Sequence, residues 1–149
     1  MMDNLLIQKV WNDDFVMEFR IVGISHYVSA HQDCYLDMKC VENTSELLNE
    51  VCNGSIKECY IVWGIKEGPY TPAFSMKVMW KDKQGHLTIE LDIEIADDTS
   101  RTHRCVFSIS CEVGALERFA NNLLNLSEAR IGEFVSLYPI KTHSYLARS

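Results

Sequence analysis

Leu87-Thr88-Ile89-Glu90-Leu91-Asp92-Ile93-Glu94-Ile95 is the stretch from which the fold is read, because apolar and polar residues alternate along its whole length. A period of two places Leu87, Ile89, Leu91, Ile93 and Ile95 on one face of a strand and Thr88, Glu90, Asp92 and Glu94 on the other. One covered face and one wet face is the habit of antiparallel sheets. Upstream, the polar connection Lys81-Asp82-Lys83-Gln84-Gly85 separates this strand from a second at residues 74–80, which predicts a hairpin. Downstream, the polar segment 96–103 leads into residues 104–111, where Cys105, Phe107, Ile109 and Cys111 again take the odd positions. Matching the apolar faces of these strands predicts Glu94 opposite Arg104, Asp92 opposite Val106 and Glu90 opposite Ser108.

The remaining chain is read around that core. Gly114, with Glu117 three residues on, is the expected cap of a helix carrying Leu116, Phe119, Ala120, Leu123 and Leu124 at helical spacing. Residues 132–137 read as a last strand, stopped by Pro139. Toward the amino terminus, residues 15–22 and 24–30 read as one long strand bent at Gly23, and residues 34–41 continue in strand period. Asn43-Thr44-Ser45 then offers caps for a short helix through Cys52, closed by Asn53-Gly54. Tyr60-Ile61-Val62-Trp63 is apolar enough for a central strand, and Gly68 to Pro72 forms a loop because proline cannot donate to a ladder. The expected fold class is α+β. It comprises an antiparallel β-sheet, a meander of about six to eight strands, with one principal helix packed on one face and one short helix. Residues 1–149 read as a single domain, with residues 1–12 an arm or a strand and residues 141–149 a frayed tail.

Composition narrows the class of function. The 149 residues carry 14 basic and 21 acidic side chains, a formal charge of −7. That balance opposes attraction to phosphate backbones or anionic membranes and favours a basic partner. The amino terminus lacks the basic and apolar regions of a secretory signal, and residues 59–65 are too short an apolar run to span a bilayer. A cytoplasmic protein with no membrane association is expected. Its cysteines, Cys34, Cys40, Cys52, Cys59, Cys105 and Cys111, are then free thiols. Cys34/Cys40 and Cys105/Cys111 would each lie on one strand face with members about 20 Å apart, too far to bond.

Catalytic patterns fail one by one. Cys105 stands two residues from His103 but on the expected buried face, where a thiol is hard to ionise. His26, His31 and Cys34 lack the paired spacing of structural zinc ligands, and no two glycines form a phosphate-cradling loop. Glu90, Asp92 and Glu94 stand about 6.6 Å apart in succession, a glycosidase-like separation. Three carboxylates in a row on an outward face are, however, most simply a solvated edge or a site for a cationic partner. No catalytic residue, metal or cofactor is assigned, and the chain is read as a non-enzyme.

Charge density raises the partner reading. Glu90, Asp92, Glu94, Asp97 and Asp98 are five acids in nine residues with no base among them. They form the expected binding surface for a basic protein, with Trp80, Tyr70 or Trp63 as an aromatic anchor. The acidic hairpin at residues 85–95, the strand at 104–111 and the helix from Ala115 make the chain resemble the small acidic cytosolic immunity proteins of bacterial toxin systems, including contact-dependent growth inhibition. The resemblance implies a non-catalytic inhibitor of one cognate toxin domain, often a nuclease, with no direct contact to nucleic acid. Two other classes compete: a small-ligand-binding or regulatory domain with a pocket between sheet and helix, and a hydrolase built from scattered Cys, His and acidic residues.

Overall fold

Leu87, Ile89, Leu91 and Ile93 are fully buried while Glu90 between them is exposed, so the alternation at residues 87–95 does set the two faces of a strand. The computed structural model describes residues 3–64, 74–96 and 102–140. In chain order they form β1 (Asn4–Asn12), β2 (Met17–Ile24), β3 (Ser29–Leu36), α1 (Met38–Cys52), β4 (Glu58–Trp63), β5 (Phe74–Trp80), β6 (His86–Ala96), β7 (Thr102–Glu112), α2 (Val113–Leu126) and β8 (Phe134–Ser136). The class is α+β, with antiparallel pairing throughout these strands. β6 and β7 pair in the register that their apolar faces dictate, with Glu94 opposite Arg104, Asp92 opposite Val106 and Glu90 opposite Ser108. The expected loop at residues 68–72, the tail at 141–149 and most of the 96–103 turn lie outside the described residues.

The strands divide into two four-stranded sheets, ordered β3-β2-β1-β8 and β4-β5-β6-β7. Residues 4–12 are thus an inner strand and not an arm, since β1 is paired on one side by β2 and on the other by β8. Gly23 does not bend one long strand. The chain reverses two residues later, where the Ser25 amide donates to the Val28 carbonyl at 2.7 Å and the Val28 amide to the Ser25 hydroxyl at 3.2 Å. Gly23 instead marks a close approach of the sheets, its missing Cβ leaving room for Leu91 and Phe107.

The first helix is longer than Asn43-Thr44-Ser45 suggests. Asp37 caps it, its carboxylate accepting from the Cys40 amide at 2.8 Å, and it runs for 15 residues. Cys34 and Cys40 therefore belong to different elements, one in β3 and the other in α1. Val41, Thr44, Ser45, Leu48 and Val51 form the buried stripe of α1. The Ser45 hydroxyl reaches across to donate to the Ala120 carbonyl of α2 at 2.9 Å. α2 begins one residue before Gly114, with Glu112 at the cap position, and its first amide, Val113, donates to the Gly85 carbonyl of the β5–β6 turn at 2.8 Å. Leu116, Phe119, Ala120 and Leu123 are buried in α2 as their spacing implies, whereas Leu124 is exposed.

One apolar core draws on both sheets and both helices. Trp63 stands at its junction, with Phe74 at 5.6 Å and Phe19 of the other sheet at 6.2 Å between ring centroids. Its indole N–H donates to the Thr44 hydroxyl at 2.9 Å, so the largest buried side chain leaves no polar atom unpaired. Among the described strands β4 is at the edge of its sheet and not central, and its apolar run buries Cys59, Ile61 and Trp63 while Tyr60 and Val62 turn outward.

Candidate partner-binding face

The β4-β5-β6-β7 sheet packs its odd β6 face into the core and leaves the even face outside. Register lays the outer side chains in cross-strand rows: Tyr60, Lys77, Glu90 and Ser108 form one, and Val62, Ser75, Asp92 and Val106 the next. Glu94 and Arg104 follow. Tyr60 at 57% and Val106 at 55% exposure flank the acids on either side, while Ser75 between Val62 and Asp92 is only 1% exposed, so the face carries apolar as well as charged surface but is not open across its width.

Cations of the sheet itself partly neutralise the acidic row. Arg104 reaches Asp92 at 2.5 Å and Glu94 at 3.2 Å, bridging two carboxylates instead of the single one opposite it. Lys77 stands across from Glu90 and pairs with Glu58 at 3.6 Å. Exposed pairs of this kind are worth about 0.2–1 kcal/mol each and are screened by salt. They hold the carboxylates in place on the sheet. The spacing of Asp92 and Glu94 is already that of a site for one guanidinium, whose planar fork can engage two acceptors.

Of the expected site residues, Glu90, Asp92 and Glu94 share this face. Trp80 does not. It pairs with Leu87 on the core side, half buried, and its indole N–H donates to the Val51 carbonyl of α1 at 3.0 Å, so it ties helix to sheet. Trp63 is likewise buried. Asp97, Asp98 and Tyr70 lie outside the described residues. The aromatic that does accompany the acids is Tyr60, and the clue to it is Glu58 two residues earlier, which signals a wet face in a run that otherwise looks uniformly apolar.

Other chemistries would rest on the buried thiols and the histidines. Burial pushes the Cys34 and Cys111 thiols up to about 12 and those of Cys52 and Cys59 up to about 11, the opposite of an activated nucleophile. All six cysteines are free. Among the described residues no group of three or more His, Cys, Asp or Glu is placed to hold a metal ion. His31 is exposed on β3 while Cys34, three residues on, faces the core. The space under the helices is filled by Leu48, Leu116, Phe119 and Leu123. A groove of about 470 Å³ lies between α2 and β8, lined in part by Arg118, Asn122, Phe134 and Leu137, and it opens at the surface. Among the described residues no helix is long and apolar enough to cross a membrane.

Comparison of the chain with protein-family models, curated proteins and solved structures gives no match.

Proposed function

We propose that the protein is a non-catalytic immunity protein of the cytoplasm, which neutralises one cognate toxin domain by covering a basic cleft, as in a nuclease, with the outer face of the β4-β5-β6-β7 sheet. The observation that carries this reading is the company Glu90, Asp92 and Glu94 keep. They lie on a rigid, regular sheet beside exposed Tyr60, Val62 and Val106, so charge for steering and apolar surface for affinity share one face. Arg104 acts as a stand-in for the partner's cation, and an arriving arginine or lysine either shares or displaces it.

The test first asks whether a toxin-like domain is encoded beside the gene and, where one is, purifies that domain as an inactive variant. The Glu90→Lys/Asp92→Lys/Glu94→Lys protein is expected to fold normally yet bind that domain more weakly, with a flatter salt dependence and no protection of cells producing the active toxin. Unchanged affinity and salt slope would sink the acidic face. The competing small-ligand reading has the α2–β8 groove in its favour, but that groove is open at the surface, where a ligand would stay largely in solvent.

A further inference from the structure

Four exposed large side chains outside that face stand at one end of the other sheet, while Tyr27, the most exposed, stands at the opposite end in the β2–β3 turn. The β1–β2 turn carries Phe15, 83% exposed, and the paired ends of β2 and β3 bring Tyr35, 61% exposed, to the same end. Trp11 and Met38 are exposed there too. The Trp11 and Tyr35 rings meet edge to face at 6.1 Å across Glu18, which is opposite both in the register. Phe15 and Met38 share the rim of a small concavity with Val16 and Met17.

These aromatics are held, not loose. The Asp13 carboxylate accepts from the Phe15 and Val16 amides, both at 2.8 Å, and the Asp13 amide donates to the Val16 carbonyl at 3.0 Å. Phe15 is therefore presented on a fixed turn, and little ordering entropy remains to be lost when it enters a pocket. Segments 11–18 and 35–39 contain Asp13, Asp14, Glu18 and Asp37 against Lys39 alone. A second copy of the chain would set acid against acid, and an anionic membrane would be repelled likewise. What complements the patch is a basic protein surface with an apolar pocket.

We infer that the β1–β2 hairpin end, with Phe15 as its anchor, Met38 beside it and the Trp11–Tyr35 pair on the other face of the same strand ends, is a docking surface for a basic protein partner. The inference rests on the reading of this chain as the binder of a basic protein, but it uses a surface apart from Glu90, Asp92 and Glu94.

A short amphipathic Leu/Lys peptide, with its Leu/Glu counterpart as control, serves as the probe against the ¹⁵N-labelled full chain. The inference requires saturable shifts of the amides at residues 11–18 and 35–38 with the Leu/Lys peptide alone. It also requires roughly tenfold or greater weakening by Phe15→Ser, the scale on which an anchor residue acts. The Glu90→Lys/Asp92→Lys/Glu94→Lys protein should retain this binding. Because Phe15 is in solvent, Phe15→Ser should leave the thermal transition unchanged, which separates lost contact from lost fold. Shifts confined to the β6 face and indifferent to Phe15→Ser overturn the hairpin while leaving the sheet face standing. Absence of saturable binding overturns it too, whatever the sheet face does with its own partner. Concentration-dependent shifts of the same amides without peptide would identify the occupant as a second copy and overturn the basic partner.

Discussion

Gly23 of β2 lies so close to Leu91 of β6 that a Cβ on it would stand 2.6 Å from Leu91 Cδ1. Non-bonded carbons essentially never come that close, and Leu91, fully buried, has no solvent to move into. Phe107 Cζ, at 3.0 Å from the same point, blocks the retreat. Gly23→Ala should cost about 1–3 kcal/mol through overpacking, read as a lower urea midpoint with little change in slope. Shortening the offending side chain in the double variant Gly23→Ala/Leu91→Val should recover part of that loss. If Gly23→Ala were neutral, the close contact between the sheets would be refuted.

A second prediction concerns Lys9, buried on β1. Its ammonium donates to the Ser127 carbonyl at 2.8 Å and the Ala129 carbonyl at 2.9 Å, just past the end of α2, where a helix presents unpaired carbonyls and partial negative charge. Lys9→Met keeps the stem but removes both donors. The cost of leaving buried acceptors unmet is about 1–3 kcal/mol, reduced by the relief of a desolvated charge. The expected result is a net loss of stability, with faster amide exchange in the last turn of α2 than in its first. Equal exchange at both ends would deny Lys9 its capping role.

How much of this was legible beforehand depends on the range of the physics involved. The β6–β7 register was readable because both strands alternate cleanly, and a slip by one residue would have turned Ile93 and Cys105 outward. The division into two sheets was not, since no local pattern says that β3 and β4 do not pair or that β8 returns to β1, with Ile7 opposite Val135. Tyr35 to Cys40 alternates like a strand, which hid the helix cap at Asp37 until tertiary burial of Val41, Leu48 and Val51 decided for the helix. In the candidate site, the positions of Glu90, Asp92 and Glu94 followed from parity. Parity also places Trp80 with Phe74, Met76 and Val78 on the core side, so its absence from the acidic face was readable. Phe15 was counted into a strand, although the Asp13-Asp14 pair before it is turn chemistry.

Arg104 yields a third prediction. Since it bridges Asp92 and Glu94 at the surface, Arg104→Gln should destabilise the fold by no more than about 1 kcal/mol. A double-mutant cycle with Asp92→Asn should show a small coupling that disappears in about 1 M salt. The same variant strips the acids of their internal cation. Association with the basic partner proposed above should therefore become faster at low salt, and a slower rate would show that Arg104 itself touches the partner.

The buried thiols set the response to alkali. Cys34 and Cys111, pushed by burial up to about 12, stay protonated in the fold at a pH where unfolded thiols, with an ordinary value of 9.0, have ionised. Cys52 and Cys59, up to about 11, and Cys40, also raised by burial, act in the same sense. Above pH 9 the native state thus holds more protons than the unfolded one, so stability is full below that pH and falls as pH climbs toward 11–12. At Cys34 and Cys111 the loss is on the order of 1 kcal/mol per thiol for each pH unit. Lys9 opposes this, because burial lowers its pKa below 10.5 and the unfolded state then holds that proton longer. One lysine against five thiols leaves the thiols in control. Urea midpoints measured from about pH 8 to about pH 11 should decline above pH 9, and the Cys34→Ala/Cys111→Ala protein should decline less steeply. A flat or rising profile in the wild type would mean that water reaches these sulfurs in the native state.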